Sequence, residues 1–153
     1  MHVLELKVPP PAVAVLLAAL MWICAWAIPA FGFLFPARDL YAIGLAVAGL
    51  VIDIVAIVSF VRAGTTVNPM KPESSSSLVV SGIYKLTRNP MYLGSLLFLA
   101  AWAIYLSNVL AFLLVPAFIL YMNRFQITPE ERVLAARFGQ EFTDYKARTR
   151  RWL

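Results

Sequence analysis

Residues able to carry reaction chemistry are scarce in this chain of 153 residues. There is one histidine, His2, at the extreme N-terminus, and one cysteine, Cys24, inside an apolar run. A Cys/His zinc site, an intrachain disulfide and a histidine-based triad are therefore excluded, and no metal site is expected. Charge is thin as well: 14% of residues are charged, and 13 Lys and Arg against 8 Asp and Glu give a net +5. What the chain has instead is apolar surface, with 61% hydrophobic residues, against roughly 45–50% in an average soluble domain. The length suits one domain and the composition suits a membrane. Chemistry is left to carboxylates, arginines, tyrosines, the backbone or a bound cofactor.

The apolar runs set the expected fold. Ala12 to Phe35 is 24 residues without a charge, more than the roughly 20 needed for a helix to cross a bilayer. Ala25-Trp26-Ala27 loosely imitates a leader cleavage site, but the apolar run continues past it, so a span is expected rather than a signal peptide. Leu40 to Val61 forms a second run, interrupted only by Asp53. Arg88 and Arg124 enclose 35 uncharged residues, too many for one span, and Ser107-Asn108 divides them into a helical hairpin. Pro116 is expected to kink its second arm. An all-α integral membrane protein of about four transmembrane helices follows, with amphipathic C-terminal helices after Thr128. Leu134, Phe138, Phe142 and Tyr145 fall there at helical spacing, and Gly139 should break that tail in two. The segment from Ala63 to Tyr84, with Pro69, Pro72 and the serines 74 to 77, reads as a loop.

Placing both termini on the cytoplasmic side puts twelve of the thirteen basic residues there and leaves only Arg38 outside, as the positive-inside rule requires. Membrane orientation thus accounts for the basic excess, and no nucleic-acid partner is expected.

The polar residues at the inner ends of the helices divide into structural and functional readings. Asn89 and Pro90 suit the cap and first position of the third helix, so free backbone N–H groups and Arg88 gather at one mouth. That end is either a well-capped helix with a membrane anchor or a site for a carboxylate or phosphate. Tyr92 and Gly94 follow, and Gly94 admits a close approach by a ligand or another helix. With Thr128 as cap and Pro129 at the first position, Glu131 falls at the reciprocal capping-box position, which makes it structural and leaves Glu130 to bind a cation. Arg124 is either a snorkelling anchor or a substrate-facing cation. Asp53, deep in the second span, either serves a cavity or joins helices, and nothing near it in sequence names its partner.

Taken in order, Leu78-Val79-Val80-Ser81-Gly82-Ile83-Tyr84, Arg88-Asn89-Pro90-Met91-Tyr92-Leu93-Gly94, an uncharged hairpin, Glu130-Glu131-Arg132-Val133-Leu134, Phe138-Gly139 and Tyr145 resemble the isoprenylcysteine carboxyl methyltransferase and phospholipid methyltransferase superfamily. The resemblance covers roughly residues 64 to 152. It divides the chain into an N-terminal two-span segment, 1–62, and a methyltransferase-like core, 63–153. It implies an S-adenosylmethionine-dependent enzyme that releases S-adenosylhomocysteine and acts on a membrane lipid or lipid-linked acceptor. Leu78, Val79, Tyr84, Arg88, Asn89, Pro90, Met91, Tyr92 and Gly94 would then serve the cofactor, Glu130 would close the site, and Arg124 and Glu130 would be the catalytic candidates. The best-known members have histidine at the position of Asn89, which cannot titrate. Prenylcysteine-methylating members have arginine at the position of Gln126. The alternatives are a phospholipid N-methyltransferase, a sterol-reductase-like NADPH enzyme and a non-enzymatic scaffold. The reductase would want a denser arginine cluster. The scaffold would use Asp53 with Gly44 and Ala48 as helix-association surface.

Overall fold

The computed structural model describes residues 5–64 and 76–153. The middle of the expected loop, including Pro69, Lys71 and Pro72, lies outside the described residues. Three prolines start the first helix, α1 (Pro10–Ala27), where their missing N–H groups cost nothing; it stops just before Pro29. After a short 3-10 turn, α2 (Arg38–Arg62) carries Asp39 in its first turn and Arg62 in its last, each suited to the dipole end it occupies. A second 3-10 turn (Gly82–Lys85) leads into α3 (Pro90–Leu106). Ser107 then adopts a left-handed conformation, and Asn108 caps α4 (Val109–Tyr121) by accepting from Leu110 N at 3.0 Å. The hairpin therefore turns where its polar pair stands. Asn108 Nδ2 also donates to Ile28 O at 3.2 Å, tying the turn to the end of α1.

The chain after α4 departs from expectation. α4 runs through Pro116, passes into a π-helical turn (Met122–Ile127) and continues directly as α5 (Thr128–Phe138). Thr128 is consequently not a helix cap: its backbone is helical, and its hydroxyl donates to Asn123 O at 2.6 Å. Because no helix starts there, the N–H groups that a capping box would satisfy already lie within a helix. Gly139, at φ 52°, does break the tail, and α6 (Gln140–Arg148) follows.

α3 is the centre of the bundle, with α2 on one side and α1 and α4 on the other. Met21, Leu99, Ala103, Ala111 and Phe118 form the core among α1, α3 and α4, where Trp102 Nε1 also donates to Ala18 O at 3.0 Å. Three helical stretches are long and apolar enough to cross a membrane: Pro10–Ala27, Arg38–Arg62 and Val109–Phe138. α3 is apolar but shorter, at 17 residues. Val15, Leu16, Leu40 and Ile43 face outward on α1 and α2. Such a surface suits hydrocarbon rather than water.

Candidate active site

The ends of α2, α3 and α5, with α6 across them, enclose a hollow of about 840 Å³ counting its open mouth. Phe60 enters from α2, Tyr84 from the second 3-10 turn, and Met91 and Tyr92 from the first turn of α3. Ile127, Glu130 and Leu134 come from the π turn and α5, and Phe142 and Tyr145 from α6. The Phe60 and Tyr84 rings meet edge-on, with centroids 5.4 Å apart. Tyr145 donates its hydroxyl to Tyr84 O at 2.7 Å, which fixes α6 against the turn.

Two carboxylates adjacent in sequence have different surroundings. Glu130 accepts from the Tyr92 hydroxyl at 3.0 Å, and buried Gln126 is the phenol's other side-chain partner. Glu131 is the hub of an ion cluster: Arg88 Nη2 stands at 2.8 Å, Arg151 Nη2 at 2.7 Å and Lys146 Nζ at 3.7 Å. The side chains of Arg88 and Glu131 are only 9% and 10% exposed. Arg88 Nη1 donates to Thr149 O and Lys146 O, while its Nε is buried without a partner among the described residues. The last residues of the chain strap this cluster down. Arg88 N donates to Arg150 O at 2.9 Å, and Thr87 Oγ1 and Asn89 Nδ2 both donate to Arg151 O.

Burial holds the Tyr84 phenol well above its ordinary pKa, reinforced by Tyr145 and by the carboxylates of Glu130 and Asp53. The Tyr145 phenol is raised by burial, partly offset by Arg88. Both therefore stay neutral hydrogen-bonding groups at any ordinary pH.

Leu78, Val79, Tyr84, Arg88, Asn89, Pro90, Met91, Tyr92 and Glu130 all line the hollow. Gly94 and Arg124 are placed elsewhere. Gly94 faces α2, where a Cβ would meet Asp53 Oδ1 at 2.1 Å. Arg124 is 54% exposed and pairs with Glu5 Oε1 at 3.0 Å, beside Arg132, which holds the other oxygen at 2.8 Å. Asn89 stands at the cap position, but its side chain makes no cap bond, because it is turned toward the C-terminal strap. Glu131 is structural, though as an ion-pair hub rather than the capping residue its spacing indicates. Phe60, Ser77 and Ile127 line the hollow without any signal in sequence. Leu134, Phe142 and Tyr145 were visible as one apolar face of an amphipathic tail, and Leu134 and Tyr145 also as members of the family pattern, with no site role assigned to them.

The phospholipid methyltransferase profile matches residues 37–141, and the chain belongs to that family. The matched region takes in α2, and through Phe60 that helix contributes a wall of the hollow. An uncharacterised protein of Haemophilus influenzae is 52% identical over 63 residues, 41% of this chain and the whole of that protein. Probable protein-S-isoprenylcysteine O-methyltransferases of Oryza sativa, subspecies indica and japonica, are each 33% identical over 104 residues, 66% of this chain. The chain spans 53% of the length of these rice relatives. No solved structure matches it. In class, then, the chain is a member of a methyltransferase family whose helices are apolar enough to span a bilayer.

Proposed function

We propose that this chain transfers a methyl group from S-adenosylmethionine to a lipidic or amphiphilic acceptor, in the manner of an isoprenylcysteine carboxyl methyltransferase. We also propose that it makes four membrane passes with both termini cytoplasmic. The observation that carries the reading is the convergence of Tyr84, Asn89, Met91, Tyr92 and Glu130 on one hollow at the ends of the apolar helices. The residues there fit a zwitterionic sulfonium. Glu130 offers a partly buried carboxylate to an ammonium. Arg88, already neutralised by Glu131, keeps one buried N–H at Nε for an anion, beside the uncapped first turn of α3. Tyr84, Phe60 and Tyr145 supply aromatic surface for a cation and a nucleobase.

When bound, S-adenosylmethionine supplies a methyl group already activated toward displacement. The chain's own part is to hold the acceptor in line with that group and to keep water out. Orientation of this kind is worth on the order of several kcal/mol. Phe60, Leu134 and Phe142 exclude water, and Tyr92 holds Glu130 in place. The apolar walls continue into the helices, so an amphiphile can enter sideways from the bilayer.

Calorimetry tests the donor. S-adenosylhomocysteine should bind the purified protein and NADPH should not; the reverse rejects the reading. Transfer of labelled methyl to water-soluble acceptors alone, with none to any amphiphile, rejects the lipidic acceptor.

A further inference from the structure

The long helix that carries Glu130 has a weak joint. α4 passes into α5 through the π turn, and in a regular helix Phe125 O would accept from the N–H of residue 129. That residue is Pro129, which has no N–H and whose ring crowds the carbonyl one turn back. Kinks concentrate at prolines and at π turns, and here the two adjoin. The helix's own hydrogen bonds therefore do not by themselves fix the angle at which α5 leaves α4, nor the distance from Glu130 to Tyr92.

The segment ahead of α1 spans that joint. Leu6 N donates to Phe125 O at 3.1 Å, which replaces the hydrogen bond that Pro129 removes. Leu6 does so at φ 55°, a left-handed conformation that such a side chain keeps only where its surroundings hold it. Next to it, Glu5 divides its carboxylate between two arginines: Oε1 accepts from Arg124 Nη1 at 3.0 Å and Oε2 from Arg132 Nη2 at 2.8 Å. Arg124 precedes the joint and Arg132 follows it. Val8 packs against the core among α1, α3 and α4, so the segment is seated on the bundle. A snorkelling anchor reaches for lipid head groups; both arginines reach instead for one buried acid. Arg132 lies two positions after Glu130, about 200° around α5. The clamp thus grips one side of α5 while Glu130 meets Tyr92 on another.

Resting on the methyl-transfer reading above, we propose that Glu5 is a positioning residue for the donor site. By bridging Arg124 and Arg132 across the π turn, it holds α5 at the angle that keeps Glu130 on Tyr92 and facing the hollow. Glu5 touches no ligand itself; its effect on the donor passes through Glu130.

The test is a double-mutant cycle read by S-adenosylhomocysteine calorimetry on the full chain, with thermal unfolding alongside. Glu5→Gln and Arg132→Gln should each weaken binding by about fivefold. In a Glu130→Ala background neither should weaken it further, because residues that act through one another are not additive. Glu130→Gln supplies the background if the alanine variant binds too weakly to measure, and the loss at Glu5 should there be smaller than in wild type. Arg132 is half-exposed, so Arg132→Gln keeps the cycle readable if Glu5→Gln does not fold. The two substitutions change net charge in opposite directions, so affinities that shift in opposite directions overturn the proposal in favour of a field effect. Equal losses in both backgrounds overturn it by making Glu5 a general support of the fold, and unchanged affinity in well-folded variants overturns it outright. A Glu130→Ala variant that binds as well as wild type overturns it and leaves the methyl-transfer reading standing. A wild type that does not bind S-adenosylhomocysteine overturns both.

Discussion

Glu130 and Glu131 differ by 100° of helix rotation, and that rotation separates an acid bonded to Tyr92 from one held by Arg88 and Arg151. Glu130→Ala removes a carboxylate that accepts a hydrogen bond from Tyr92. S-adenosylhomocysteine affinity should fall by about tenfold or more, with little change in the unfolding midpoint. Glu131→Ala strands Arg88 and Arg151, and breaking one side of a buried pair costs about 3 kcal/mol or more. Calorimetry and thermal unfolding of the two variants check the separation, and equal binding losses in well-folded variants would remove it. The tyrosines make a prediction in pH. Their folded pKa values lie above the unfolded value near 10, so above about pH 10 the unfolded state loses protons that the folded state keeps. Stability should therefore be level with respect to these groups below pH 10 and fall as pH rises beyond it. Tyr84→Phe/Tyr145→Phe should flatten that alkaline limb in a thermal-unfolding series.

At the scale of elements, the π turn between α4 and α5 sets which face of α5 meets the hollow. Deleting one residue there, Phe125, would rotate all that follows by about 100° and carry Glu130 off Tyr92. Helix content by circular dichroism should persist while S-adenosylhomocysteine binding is lost; retained binding would show that the register of α5 does not matter. This turn was not legible in the sequence. Thr128-Pro129 has the composition of a helix start, and only the packing of α4 on α1 and α3 carries one helix through it. The locally encoded elements were legible: the Pro10 and Pro90 starts, the Ser107-Asn108 turn and the Gly139 break each depend on residues within a few positions. The lining residues from Leu78 to Tyr92 were legible because their order resembles a family pattern. Glu131's partners, 43 and 20 residues away, and the fit of Asp53 against Gly94 were not, because no local pattern records which helices meet.

For the whole molecule, the first described residues, Glu5 and Leu6, and the last, Arg150 to Leu153, are gathered at the end of the bundle that holds the hollow. Removing Arg150 to Leu153 deletes the carbonyls that hold Arg88 and Asn89 and the guanidinium that shares Glu131. The truncated protein should keep its helices and lose about tenfold or more in donor-site affinity, since an ordered site depends on what supports it. Orientation is tested in sealed vesicles on a Cys24→Ser background: Asp39→Cys and Gln140→Cys should react with a membrane-impermeant thiol reagent from opposite sides. Reaction from the same side would reject the four-pass arrangement.

Glu5, 3% exposed and held by Arg124 and Arg132 to either side of Glu130, has a practical bearing. Because both arginines belong to the long helix that carries Glu130, a tag fused just ahead of Glu5 pulls on the same rod that positions the acid. Handles for purification or tethering are better placed in the turn between α1 and α2, near Leu34, at the far end of the bundle from the hollow.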